Sequence, residues 1–289
     1  MNPQLRTFLL SWDWSPAVVL EELLGAGLYA WGWRRLRQRA AARRLFPAWH
    51  AWCFASGLLA LALALLSPIA AYDDRFLFLH MVQHLLLLLV VPPLIWLGTP
   101  LLPMLWVYPA NMRRWIGRRL IRRRRFRQLG SLLTHPLVAV LCYLVTIAVW
   151  HLPVCYNLAQ GQTVWHESEH LFFLGAGLLY WWPVVHPTGG RLRLGAGADI
   201  VYLMAAGVEG GILGGILTFA AQPLYVAYEQ FPRLWGLSAL LDQQLAGIIM
   251  WLGGGLIYTA WVMIQFTRMV QREDQELARQ ASLVGNESR

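Results

Sequence analysis

The chain contains no lysine, and only 13% of its 289 residues are charged. A soluble domain of this size carries roughly twice that share, so a water-exposed globular fold is excluded. Acidic residues are scarce too, 15 against 24 arginines, leaving a formal charge of +9. Cysteine is limited to three, Cys53, Cys142 and Cys155, an odd and sparse set that implies no disulfide framework. Cys53 and Cys142 fall inside apolar segments and read as small core residues; Cys155, four residues after His151, is a soft candidate ligand. The N-terminal stretch MNPQLRTFLLSWDWSP lacks a basic region followed by a long apolar run and a small-residue cleavage site, so no cleavable signal peptide is expected. There is no internal repeat and no low-complexity segment.

What remains is hydrophobic. Apolar residues make up 57% of the chain, with 16 tryptophans, and they come in blocks of about twenty, long enough to cross a bilayer as helices. The expected fold is all-α, a polytopic bundle of seven spans near 16–33, 50–68, 77–97, 137–152, 167–186, 199–221 and 240–266. Glu21 and Glu22 make the first the weakest. One domain over 1–270 and a cytoplasmic tail over 271–289 follow from this division. The arginines lie between spans: six at 34–44, nine at 98–134, two at 187–198 and four after residue 266, with only Arg6, Arg75 and Arg233 on the other side. Basic loops mark the cytoplasmic side, so the N-terminus is expected outside and the C-terminus inside. This explains the positive charge better than nucleic-acid binding does. Within the basic loop about 109–130, Trp115, Ile116, Leu120 and Phe126 recur roughly at helical spacing, as in an amphipathic helix on an anionic leaflet; a solvated basic loop fits equally. Trp12, Trp14, Trp165 and Trp235 fall near span ends, as an aromatic belt requires. Gly207, Gly211 and Gly215, and Gly210 with Gly214, make small-residue faces. Tight packing within the monomer is the simpler reading, and a homodimer seam is the alternative; Gly253, Gly254 and Gly255 continue the pattern in the last span.

Five of the eight histidines fall at one end of three spans. His80 and His84 open the third, His151 closes the fourth, and His166 and His170 open the fifth. In alternating spans these positions share one layer at the outer face, with Asp242 and Gln243 entering the last span at similar depth. Residues four apart share a helix face, with Cβ atoms about 6 Å apart. Two such pairs at matched depth suit a shared cation better than scattered interface residues do, because ionisable groups in a membrane are costly and usually functional. Imidazole donors leave zinc, copper, iron and nickel open. Met81 points about 100° from His80 on the helix, and Met250 lies about three turns into the last span, so their thioethers are weak additions. His50, His135 and His186 occur singly at the opposite ends, beside Trp or Pro, and read as interface residues.

Three alternatives stand beside a bound metal ion. His166-Glu167-Ser168-Glu169-His170 matches H-E-x-x-H, the zinc-hydrolase pattern in which the glutamate is the general base, but His80-Met81-Val82-Gln83-His84 lacks that glutamate. One histidine from each pair could clasp a haem. A metal-free scaffold could use the imidazoles as hydrogen-bonding groups.

Four blocks in order carry a resemblance: HMVQHLLLLLVVPPLIWLGTP at 80–100, WHLPVCYNLA at 150–159, HESEHLFFLGAGLLYWWPVV at 166–185 and DQQLAGIIMW at 242–251. Together they resemble the multi-pass CtaG-type cytochrome c oxidase assembly factors, over about residues 16 to 268. The resemblance implies a protein of the bacterial cytoplasmic (inner) membrane that is not an enzyme. It also implies copper as the metal, with oxidase subunits and an outer-side copper donor as partners; zinc is the alternative that the H-E-x-x-H pattern offers, and the lipid bilayer is a partner on the apolar spans alone. Roles carry over to His80, His84, His151, His166, His170 and Asp242, each inside a matching block. Asp242 could orient a ligating imidazole through its other nitrogen.

Overall fold

The computed structural model describes residues 3–121, 123–185, 194, 197–230 and 234–287. Among them there are helices and no strand. Seven principal helices follow the expected apolar blocks. They are α1 (Pro16–Arg37), α2 (Trp49–Leu65), α3 (Leu77–Leu97), α4 (Pro136–Trp150), α5 (Thr163–Val185), α6 (Ala198–Phe219) and α7, which begins at Ala239 and ends at Glu287. Among the described residues, four segments are long and apolar enough to cross a membrane: 49–71, α3, α6 and the first part of α7. A fifth appears if α4 is joined to the preceding helix Arg124–Leu133, from which it is bent by 55°. Pro136 at the first turn of α4 lacks the N–H that would continue that helix, and His135 caps the new start by accepting from the Leu137 N–H. Leu20, Val145, Val201, Ile212 and Leu256 stand exposed on the helices, an outward apolar surface suited to lipid. The last helix continues without a break into the expected tail as far as Glu287.

Helix α3 is central. Of its most apolar window 61% is buried, against 17–33% for the other three, and it packs on α2, α5 and α7. Its path is irregular. Leu86–Val90 forms a π turn that begins two residues after His84, and Pro92 and Pro93 follow. Pro92 cannot donate to the Leu88 carbonyl four residues earlier; the indole N–H of Trp181 in α5 donates to it instead, at 2.8 Å. A Cβ at Gly177 would come within 2.8 Å of the Pro92 ring, so the glycine lets α5 approach this freed carbonyl. Phe76 at the N-cap of α3 has no side-chain capping bond. Asp242 of α7 supplies it from across the bundle, its two carboxylate oxygens accepting from the N–H groups of Leu77 and Phe78 at 3.0 Å each. A carboxylate at a helix N-terminus meets both the orphan donors and the positive end of the helix dipole.

The glycines of α6 divide. A Cβ at Gly214 would lie 2.8 Å from the Gly247 carbonyl oxygen and 2.9 Å from the Trp251 nitrogen, so Gly214 serves α6–α7 packing within the chain. Gly210 and Gly215 face open space. Cys142 is exposed on α4 rather than in the core, because its neighbours Tyr143 and Ala139 take the inward positions. Residues 110–116 and 124–133 of the basic loop are helical, with Trp115 and Phe126 exposed. The Leu120 side chain, Arg122, His186, Arg191, Arg193 and Arg233 lie outside the described residues and side chains.

Candidate metal centre

The N-terminal halves of α3 and α5 and the C-terminal end of α4 bring all five expected histidines together. Ring centroids lie 4.1 Å apart for His80 and His84, 4.4 Å for His166 and His170, 5.4 Å for His80 and His166, and 5.9 Å for His84 and His151. His80, His84 and His151 are buried, while His166 is 22% exposed. The layer therefore opens at His166 and deepens toward His84 and His151.

Glu169 stands between the two histidine pairs. Its carboxylate is fully buried, 3.7 Å from His80 Nε2 and 3.6 Å from His84 Nε2. The helical arithmetic of α5 accounts for this: at 100° per residue Glu169 falls about 60° from His166 on the side facing α3. Glu167 falls about 100° to the other side and is exposed. Sequence reasoning weighed Glu167 for the H-E-x-x-H pattern and passed over Glu169; the i, i+3 relation to His166 was the available signal. A second missed residue is Asp73, in the turn before α3, whose Oδ2 lies 3.6 Å from His166 Nε2. Burial first, and then the neighbouring Asp74, push the Asp73 carboxyl well above its ordinary range; a cation beside it would reverse that preference.

The Nε2 atoms of His80, His84, His151, His166 and His170 are all buried without a hydrogen-bond partner, as are both oxygens of Glu169. Buried polar atoms are normally bonded, so this set of unbonded imidazole nitrogens and carboxylate oxygens calls for a ligand; the Nε2 atoms of His80 and His84 lie beside Glu169 and that of His166 beside Asp73, whereas His151 and His170 belong to neither donor group among the described residues. His151 is prepared for this. Its Nδ1–H donates to the Ile147 carbonyl at 2.9 Å, which leaves the lone pair on Nε2. Its own carbonyl accepts from the Tyr225 hydroxyl at 2.9 Å. The Gln160 amide nitrogen lies 3.4 Å from His80 Nδ1; as a donor it holds the ring proton on Nε2, so binding an ion at His80 Nε2 exchanges this long contact for the metal bond. Two groups of donors have atoms within 4.8 Å of one another, His80–His84–Glu169 and Asp73–His80–His166. His80 belongs to both. The donor set, imidazole with carboxylate, fits a borderline transition-metal ion.

Asp242 is buried and spent on the start of α3, one turn before His80; it is absent from both donor groups among the described residues. Cys155 is half-buried and likewise absent from them. His50 and His135 lie elsewhere, each with a bond of its own: His50 Nδ1 is 2.6 Å from the Leu97 carbonyl oxygen, and His135 caps α4.

Comparison with known proteins adds the family. The model of the cytochrome c oxidase caa3 assembly factor family (Caa3_CtaG) matches residues 27–272. Two relatives, the uncharacterized protein Mb0105 of Mycobacterium bovis and the uncharacterized protein MT0111 of Mycobacterium tuberculosis, are each 24% identical over 257 residues, covering 86% of this chain and 38% of the relative. The chain thus spans little more than a third of the length of these curated relatives. No solved structure matches it.

Proposed function

The chain belongs to the cytochrome c oxidase caa3 assembly factor family, and on that premise we propose that it binds copper in its histidine layer during maturation of a haem–copper oxidase. His80, His84, His151, His166 and His170 hold the ion together with Glu169. The protein crosses the bacterial inner membrane seven times with its N-terminus outside, as the arginine distribution favours. The layer then faces the outer side, where a copper donor loads it and the oxidase subunits receive the ion. The protein is a carrier and not an enzyme. A largely neutral imidazole site can release its cargo by exchanging one ligand at a time, which an all-thiolate site would resist.

The observation that carries this reading is the pair of partnerless Nε2 atoms, of His80 and His84, set beside one buried carboxylate, Glu169. It also weighs against the other readings. A zinc hydrolase of the H-E-x-x-H kind needs Glu167 beside the metal as general base, and Glu167 is exposed on another face of α5. A hydrogen-bonded scaffold would pair the imidazoles with one another or with the carboxylate, and those bonds are absent from the five Nε2 atoms.

Elemental analysis of the purified protein tests the proposal. Stoichiometric copper, lost in a variant with His80, His84, His166 and His170 all changed to Ala, is the expected result. Stoichiometric zinc with hydrolysis dependent on Glu167 would replace it with the hydrolase reading. If the fourfold variant kept its copper and still supported oxidase assembly, the proposal would be wrong.

A further inference from the structure

We infer that the deep end of the histidine layer is a separate, softer compartment that takes a univalent soft cation, Cu(I), between His84 and His151 with thioether donors from Met81 and Met250. The inference rests on the copper reading above and adds an oxidation state and a second stop to it.

Directly beneath the layer is a small cavity of about 40 Å³, walled by Met81, His84, His151, Met250 and the Tyr143–Tyr258 pair, with bare glycine at 210 and 254. Each of its donors arrives by a definable route. Met81 and His84 are i, i+3 on α3 and so share a face; its 100° turn from His80 is what aims Met81 here. Met250 enters from α7 inside the π turn Ile249–Gly254, and such turns recur at functional sites. The Tyr143 and Tyr258 hydroxyls bond each other at 2.7 Å, closing the wall without offering the cavity a strong ligand.

Both nitrogens of His84 and the Nε2 of His151 are buried without a hydrogen-bond partner, and each neutral ring offers a lone pair at one nitrogen. The two rings lie 5.9 Å apart between centroids, within the roughly 6 Å limit at which one ion held about 2 Å from a nitrogen of each can bridge two imidazoles. Neither Glu169 nor Asp73 lines the cavity. A divalent ion there would have to shed its water for neutral donors alone in apolar surroundings, an expensive transfer. A univalent ion loses less, and thioether with imidazole is a soft donor set that selects Cu(I). The layer is therefore graded, with carboxylates at the exposed end and thioethers at the buried end. His84 belongs to both ends, its Nε2 toward Glu169 and its ring on the cavity; a neutral imidazole offers one lone pair at a time, so passing an ion from one end to the other moves the ring proton to the nitrogen the ion has left.

The test uses the full chain in detergent micelles, with Ag(I) as a redox-silent probe of the soft compartment and Zn(II) as the probe of the carboxylate end. The near-isosteric pair Met81→Leu with Met250→Leu conserves core volume. It is expected to weaken Ag(I) binding by about 10–100-fold and leave Zn(II) affinity within about twofold. Glu169→Gln is expected to do the reverse. X-ray absorption of the Ag(I) complex of selenomethionine-labelled wild-type protein should show a selenium neighbour, an observation that needs no variant to fold. Ag(I) binding that survives the double leucine change, or an Ag(I) complex with no selenium neighbour, overturns the inference and leaves the copper reading intact. Wild-type protein that binds neither probe overturns both.

Discussion

Glu169→Gln separates a metal site from a buried ion-pair network, because the two readings predict opposite signs. Both carboxylate oxygens are buried without a hydrogen-bond donor, with His80 and His84 nitrogens at 3.7 and 3.6 Å. A buried charge that lacks a fixed partner costs several kcal/mol. Replacing it by an amide of the same shape removes that cost, so metal-free Glu169→Gln is expected to be as stable as wild type or up to about 3 kcal/mol more stable. Metal binding should suffer. A unit positive charge about 4 Å from the carboxylate gains about 4 kcal/mol at an effective dielectric constant of about 20. The amide oxygen keeps part of that attraction, so the loss falls between about 1.4 and 4 kcal/mol, or about 10- to 1,000-fold in Kd. Competition titration with a copper chelator reads the affinity. Thermal unfolding in detergent with and without saturating copper reads the linkage: a 100-fold weaker Kd removes about 2.7 kcal/mol of metal-dependent stabilisation. If the variant instead lost stability without metal and bound copper within about twofold of wild type, Glu169 would be the counter-ion of a protonated imidazole and the layer a salt-bridge network.

Asp242→Ala deletes the cap on α3 and is expected to cost about 1–2 kcal/mol in thermal or denaturant unfolding, whereas Asp242→Asn should lose less and retain wild-type copper stoichiometry. Glu167→Gln is expected to change neither copper content nor oxidase assembly, since the side chain is exposed on another face of α5; a loss of activity with metal retained would revive the hydrolase. Gly214→Ala forces a Cβ to within 2.8 Å of the Gly247 carbonyl oxygen and should cost about 1–3 kcal/mol by overpacking. Gly215→Ala, opening on free space, should leave unfolding of the monomer unchanged, so a shift confined to its oligomeric state would mark that face as a seam between copies.

The sequence made the helices and the histidine layer legible because both rest on local periodicity. A block of about twenty apolar residues is a helix in a bilayer regardless of its neighbours, and His80/His84 and His166/His170 declare a shared face by spacing alone. The partners of that layer were not legible in the same way. Glu169 was hidden by a stronger pattern: H-E-x-x-H drew attention to Glu167, and only the packing of α5 on α3 decides which glutamate turns inward. Asp73 is contiguous with nothing at the site; a turn brings it to His166. Asp242 looked like a ligand by depth, but depth does not say which of several polar atoms at one level it meets, and the uncapped start of α3 was the nearer demand. Met81 shows the same limit from the other side. Its 100° offset from His80 is a correct local statement, and it excludes Met81 from any site centred on His80. It does not exclude a site centred on His84, three residues on, where the same rotation puts Met81 on the wall of the cavity that His84 shares with His151 of another helix. Spacing within one helix fixes which residues travel together; the crossing of α3 with α4 and α7 fixes where they arrive. A ligand set divided among helices can therefore be half read from sequence, and the unread half here is the carboxylate and thioether donors that set the hardness of each end of the site.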